Sequence, residues 1–440
     1  MSLFLNLIVG IWMAFYAIRI YSSERLKLVQ HPLTPNIKCF LNRDLHFLIF
    51  CIATAMVFLG PLSLVKYEFW ILFMLYLLFV RFKIKVDIII ISYLFFLIWA
   101  GVSISYSSVK FQGAMMLIKY FLPLLYLWLG YNAIHDYEDL LFFLKKSLLI
   151  MAIYAFFIGG FSAKILPWLY VLLCFKTGGM VIAYASLADF FSALFVVPLG
   201  LYVIDKKRKW LIIAAWILLS SILEVVRTGI GGIFLASIFF LFSYYRLRAL
   251  PWLFGLSLLV VGAIFYIPAV QEKMFVDDHI TISSMDASSM NFESIQSNGR
   301  ELIWDTNLEL FYKPNPIVGA GLGESTEYTK EHFVVKLIHN DYVQILCDMG
   351  LIGLLLFALF FVVTIMKVIT YSVLYKNMLV RLSGAMALGS CAGVFFSMTF
   401  DNVITYAQQC FVIPFVFIGI FLKIIDLYKQ GRLIDIRYTR

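Results

Sequence analysis

Charge is what this chain has least of: Asp, Glu, Lys and Arg make up 14% of its 440 residues, while 62% are hydrophobic. A soluble domain carries about 25% charged and about 45–50% apolar residues, so this balance excludes a water-soluble globule and places the chain in a bilayer. The six cysteines are Cys39, Cys51, Cys174, Cys347, Cys391 and Cys410. None falls in the long polar stretch from Ala269 to Ile338, so no disulfide framework is implied. There is no internal repeat and no low-complexity segment. The first apolar run opens at Ser2 without a basic n-region, so no cleavable signal peptide is expected. A net charge of +9 would suit nucleic acid. The basic residues, however, sit in short segments between apolar runs, which is a topology pattern and excludes a nucleic-acid partner.

What is present is a succession of apolar runs. A transmembrane helix needs about 20 largely apolar residues. Runs of that kind lie near 3–19, 46–63, 67–81, 86–104, 116–134, 141–160, 181–204, 210–226, 228–245, 250–268, 340–366, 383–400 and 407–426. The expected fold is therefore an all-α polytopic membrane protein of about 12–13 spans, the lower number applying if the first run lies along the membrane. Segment 164–175 is too short to cross and reads as re-entrant or interfacial. The expected organisation is an N-terminal bundle over 1–268, a large loop over 269–338, and C-terminal helices with a tail over 339–440. Arg81/Lys83/Lys85, Lys145/Lys146, the basic run Lys206 to Lys209, Arg246/Arg248, Lys367/Lys376/Arg381 and the tail all fall on one side. By the positive-inside rule that side is cytoplasmic and the 269–338 loop is translocated.

That loop holds eleven acidic and five basic residues. Within it, Ile303, Thr306 and Leu310 stand at helical spacing, so 300–313 reads as an amphipathic helix stopped by Pro314 and Pro316. Residues 325–338 offer a second short helix.

Three candidates for chemistry converge on the outer face. Arg227 lies at a span end, Arg300 opens the amphipathic helix, and His339 stands where the loop re-enters the membrane. Each has a bland reading alone: a snorkelling arginine or one paired with Glu224, a solvated loop arginine, an interfacial histidine. Their company changes the balance. Two guanidinium groups can clamp a pyrophosphate bidentately without a metal. A neutral imidazole beside them can take the proton of an attacking hydroxyl. Asp401 ends a span on the same face and could orient His339 or an acceptor. Lys66 and Lys119, also toward that face, could meet phosphate or simply snorkel. Gly319, Gly321 and Gly323 form a GxGxG, but it lacks a βαβ context and reads as a tight bend. His332 and His339 stand seven residues apart with no Cys or carboxylate at ligand spacing, so no metal site is expected.

At these residues the chain resembles the O-antigen ligase and O-antigen polymerase superfamily of bacterial envelope glycosyltransferases. The resemblance runs from about Glu224 to Phe357. It includes Arg-Thr-Gly at 227–229, Gly299-Arg300 before Trp304, the turn from Pro316 to Gly321, and His339-Asn340 followed after nine residues by Gly350-Leu351-Ile352-Gly353. It implies a C-class glycosyltransferase, without cofactor or divalent metal, using an undecaprenyl-pyrophosphate-linked oligosaccharide as donor. The arginines at 227 and 300 would engage the pyrophosphate and His339 the acceptor, with Asn340 beside it and Asp401 a looser match. The implied setting is the bacterial inner membrane with a periplasmic active face. The implied partners are the lipid-linked glycan, membrane lipids and, as an open option, a chain-length regulator. Polymerase, ligase and, from another class, a polysaccharide flippase are the three readings. Inverted repeats and midplane charges, which a transporter would favour, are not evident.

Overall fold

In this computed structural model the described residues are 11, 29–31, 34–39, 43–54, 83–157, 184–224, 226–266, 300–405 and 407–432. A two-stranded antiparallel hairpin, β1 (Val29–His31) and β2 (Thr34–Cys39), precedes the helices. The rest is helical: α1 (Arg43–Thr54), α2 (Ile88–Ile104), α3 (Lys110–Ala133), α4 (Tyr137–Phe157), α5 (Tyr184–Leu194), α6 (Val196–Asp205), α7 (Lys209–Glu224), α8 (Arg227–Tyr245) and α9 (Leu250–Tyr266). After the large loop come α10 (Arg300–Asn307), α11 (Glu324–His332), α12 (Asp341–Leu374), α13 (Met378–Phe400), α14 (Gln408–Phe411) and α15 (Ile413–Lys429).

Among the described residues, six helices are long and apolar enough to cross a membrane: Lys110–Ala133, Leu187–Asp205, Arg227–Leu258, Asp341–Leu374, Met378–Phe400 and Gln408–Lys429. Three shorter apolar helices accompany them, Asp44–Ala53, Ile88–Ile104 and Lys209–Ile222. The chain is an all-α polytopic membrane protein. The apolar run at 3–19, apart from Ile11, the run at 67–81 and the segment 164–175 lie outside the described residues. In a bilayer every backbone polar group must be satisfied within the protein. That requirement holds Ile88-Ile89-Ile90-Ile91 in a helix despite its β-branched side chains. The starts of α2, α12 and α13 are closed by side-chain caps. Asp87 accepts from Ile89 N at 3.2 Å for α2, and Asn377 accepts from Leu379 N at 2.9 Å for α13.

The centre of the bundle is α13, packed against α8, α15 and α12. Its glycines set how near the neighbours come, as small residues do where lipid supplies no hydrophobic drive. A methyl group on Gly393 would fall on the Ser192 carbonyl of α5, and one on Gly232 of α8 would fall on the Ser192 hydroxyl. Aromatic rings fill the opposite side. Tyr93 lies 5.0 Å from Phe360 and 4.9 Å from Phe415, and its hydroxyl donates to the Tyr120 carbonyl at 2.7 Å. A buried phenol of this kind must find an acceptor.

The loop before α12 is built into the bundle. Gly350, with φ 65° and ψ −167°, breaks α12 two and a half turns in. The turn 316–321 fits against that break. Ala320 N and Gly321 N donate to the Cys347 and Asp348 carbonyls at 2.9 Å each, and Leu351 N and Ile352 N donate back to the Pro316 and Ile317 carbonyls at 2.9 and 3.2 Å. The backbone groups orphaned by the kink are thereby paired, which is the condition for irregular backbone at membrane depth. Buried Asp348 accepts from Gly323 N at 2.9 Å and Ser325 N at 3.0 Å, pinning the start of α11. The GxGxG is thus a packing device. In the 105–109 connection, Tyr106 donates to the Val318 carbonyl at 2.6 Å. Burial, with Asp348 nearby, pushes its phenol up, so it stays a neutral donor.

Candidate active site

The interlocked loop delivers α10 and His339 to the end of α13. Trp304 of α10 donates to the Ile338 carbonyl at 2.7 Å, so the residue before His339 is held by the helix that Arg300 begins. Buried Asn307 reaches Thr329 Oγ1 at 3.1 Å and ties α10 to α11. α10 ends in a π-helical turn, Leu308–Tyr312, ahead of Pro314.

At the far end of α13 the chain leaves the helix at Asp401, which is extended. The Phe400 carbonyl, freed by the helix end, accepts from Arg300 Nη1. The next residue, Asp401, places Oδ1 at 2.9 Å from His339 Nδ1, with side chains 4% and 17% exposed respectively. Arg300 and the His339–Asp401 pair therefore share one anchor. Arg227, half-buried as the first residue of α8, is close enough to Arg300 for the two charges to repel. An anion between them relieves that repulsion.

His339 sits at φ 57°, a left-handed conformation uncommon outside glycine. Asn402 holds it there. Its Oδ1 accepts from His339 N, and its Nδ2 donates to Asp341 Oδ1 at 3.2 Å and Gln344 Oε1 at 3.1 Å. Asp341 Oδ2 also accepts from Ile404 N at 3.2 Å. All of Asn402, Asp341 and Gln344 are buried.

The remaining candidates separate. Asn340 caps α12, its Oδ1 accepting from Tyr342 N at 2.9 Å and Val343 N at 3.0 Å, so that oxygen is committed to the fold. Lys119 donates to the Thr405 carbonyl at 2.9 Å, which ties α3 to the 401–405 connection. Lys66 lies outside the described residues, as does most of the loop before Arg300. Asn402 is the positioning residue that sequence reasoning missed. Its only signal is a second polar residue directly after Asp401, where an apolar run ends.

With Nδ1 facing a carboxylate, the imidazole carries its hydrogen there and leaves Nε2 as a proton acceptor. The site can take a proton from a hydroxyl and hold an anion on two guanidinium groups. Residues 211–358, about a third of the chain, match the family model described as O-antigen ligase. The matched stretch contains Arg227, Arg300 and His339 and stops short of Asp401. Members of that family are glycosyltransferase-like enzymes. No curated protein matches the chain. Over residues 211–358 the chain is thus similar to the O-antigen ligase family.

Proposed function

We propose that the chain is a polymerase of O-antigen or a related surface polysaccharide, acting at the periplasmic face of the bacterial inner membrane. The donor is an undecaprenyl-pyrophosphate-linked glycan and the acceptor is a hydroxyl of another lipid-linked repeat unit. The observation that carries this reading is the juxtaposition of Arg300 and His339 at neighbouring residues, Phe400 and Asp401, of one helix end.

His339 Nε2 takes the acceptor proton as the hydroxyl oxygen bonds to the donor sugar's anomeric carbon. The bond from that carbon to the pyrophosphate oxygen breaks, and its electron pair leaves with undecaprenyl pyrophosphate. Arg227 and Arg300 stabilise the charge that grows on the leaving group, a role in which a divalent metal is dispensable. Asp401 steadies the imidazolium until its proton is lost to water.

The ligase reading uses the same chemistry and differs in acceptor. A lipid A-core acceptor is bulky and anionic, and a loop with eleven acidic and five basic residues repels it. A lipopolysaccharide gel of a deletion strain tests the choice. The polymerase reading expects core bearing a single repeat unit without the long ladder. Bare core with lipid-linked polymer accumulating in the inner membrane would mean a ligase.

A further inference from the structure

The end of the bundle away from His339 carries another residue with positive φ. Arg246, directly after α8, has φ 55° and ψ −134°. That region belongs essentially to glycine, and a large side chain persists there only where the surroundings hold it. It stands about 28 Å along α8 from Arg227, at 1.5 Å per residue.

The Arg246 side chain lines a groove of about 350 Å³ between α8 and α12, floored by Leu388 of α13. The walls are apolar and open toward the surrounding membrane. Phe239, Phe242, Ile369 and Val373 are 40%, 46%, 55% and 53% exposed. Polar atoms gather at the Arg246 end. Ser372 lines the groove, is 8% exposed, and its hydroxyl has no hydrogen-bond partner. Arg381, at the start of α13, donates from Nη2 to the Tyr244 carbonyl, while its buried Nε is unpartnered. Among the described residues no carboxylate pairs with Arg246. A groove apolar along its length and cationic at one end matches an amphiphile with an anionic head.

We propose that this groove binds a glycerophospholipid with an anionic headgroup. One acyl chain lies along Phe239, Phe242, Ile369 and Val373, the phosphate meets Arg246, and the Ser372 hydroxyl donates to a phosphate or ester oxygen. A zwitterionic lipid brings a cation next to Arg246 and is disfavoured. A soluble phosphate leaves the apolar walls uncovered. The site is separate from the transfer centre and does not depend on the transfer reaction.

The test uses the full-length protein purified in detergent. Thermal unfolding is measured with added phosphatidylglycerol, with phosphatidylcholine of the same chains, or with glycerol phosphate, and lipid retention is read by native mass spectrometry. Phosphatidylglycerol is expected to raise the midpoint and stay bound, with little effect of the other two. The decisive variant is Arg246→Gly, since glycine is at home in this backbone conformation. It is expected to unfold no earlier than wild type without lipid, yet to lose the preference for phosphatidylglycerol. Ser372→Ala is expected to weaken the same preference and serves if Arg246→Gly is poorly folded. Equal shifts with both lipids, a shift reproduced by glycerol phosphate, or a preference retained in these variants would overturn the proposal.

Discussion

His339 Nδ1 lies 2.9 Å from Asp401 Oδ1, although 62 residues and the whole of α12 and α13 separate them in sequence. Two long helices run out and back to bring a histidine and a carboxylate to one surface. The pair predicts its own dissection. His339→Ala should lower transfer by about 10²–10⁴-fold, the range that a positioned acid–base group contributes. Asp401→Asn should fall in the same range, because an amide does not support the imidazolium, while protein level and lipid-linked donor binding stay unchanged. Turnover measured on purified variants checks this, and an unimpaired Asp401→Asn would remove Asp401 from the mechanism.

Arg300→Lys should be nearly as damaging as Arg300→Ala, with Arg227 behaving likewise. Lysine keeps the charge and loses the planar fork that fits two phosphate oxygens. Loss of one such donor typically costs about 10²–10³ in rate. Normal activity in Arg300→Ala at normal protein level would return Arg300 to an ordinary loop residue.

Asn402→Ala should destabilise the protein by about 1–3 kcal/mol, since it removes the donor to buried Asp341 Oδ1, leaves Gln344 Oε1 with the 3.4 Å bond from Thr405 Oγ1, and releases His339 N. Gly350→Ala should cost a similar amount, about 1–3 kcal/mol, because its φ is 65° and a methyl group there would fall on the Ile317 carbonyl. Thermal unfolding in detergent reads both. A wild-type midpoint for Gly350→Ala would show that the interlock between the loop and α12 is absent, and one for Asn402→Ala that Asn402 does not hold His339.

The sequence carries the helices and the three candidate residues because both signals are local. Apolar runs mark the spans, and Arg227, Arg300 and His339 stand out as charge or imidazole at span and helix ends. Asn402 is different, because its importance lies in simultaneous bonds to His339, Asp341 and Gln344, and no window of sequence contains that set. The GxGxG likewise reads as a bend, whereas its partner, the break at Gly350, lies within an apolar run that looks continuous. Lys119 and Asn340 look equally available to a phosphate or a sugar until the Thr405 carbonyl and the start of α12 are seen to engage them.

Topology has its own test. Ser288, in the loop outside the described residues, should become reactive toward an impermeant thiol reagent as Ser288→Cys in outer-membrane-permeabilised cells, as the distribution of Lys and Arg requires. A cysteine in the tail near Arg437 should stay unlabelled. Labelling of the tail instead would reverse the orientation and put His339 on the cytoplasmic side.

In the proposed reaction His339, with two arginines in place of a metal, moves a glycan from lipid pyrophosphate to a hydroxyl. The most direct measurement is release of undecaprenyl pyrophosphate by the purified protein in liposomes, supplied with lipid-linked repeat units as both donor and acceptor, in EDTA. Wild type should release it while lengthening the glycan, and His339→Ala should do neither. A strict need for Mg²⁺ or Mn²⁺, or equal release by His339→Ala, would contradict the account.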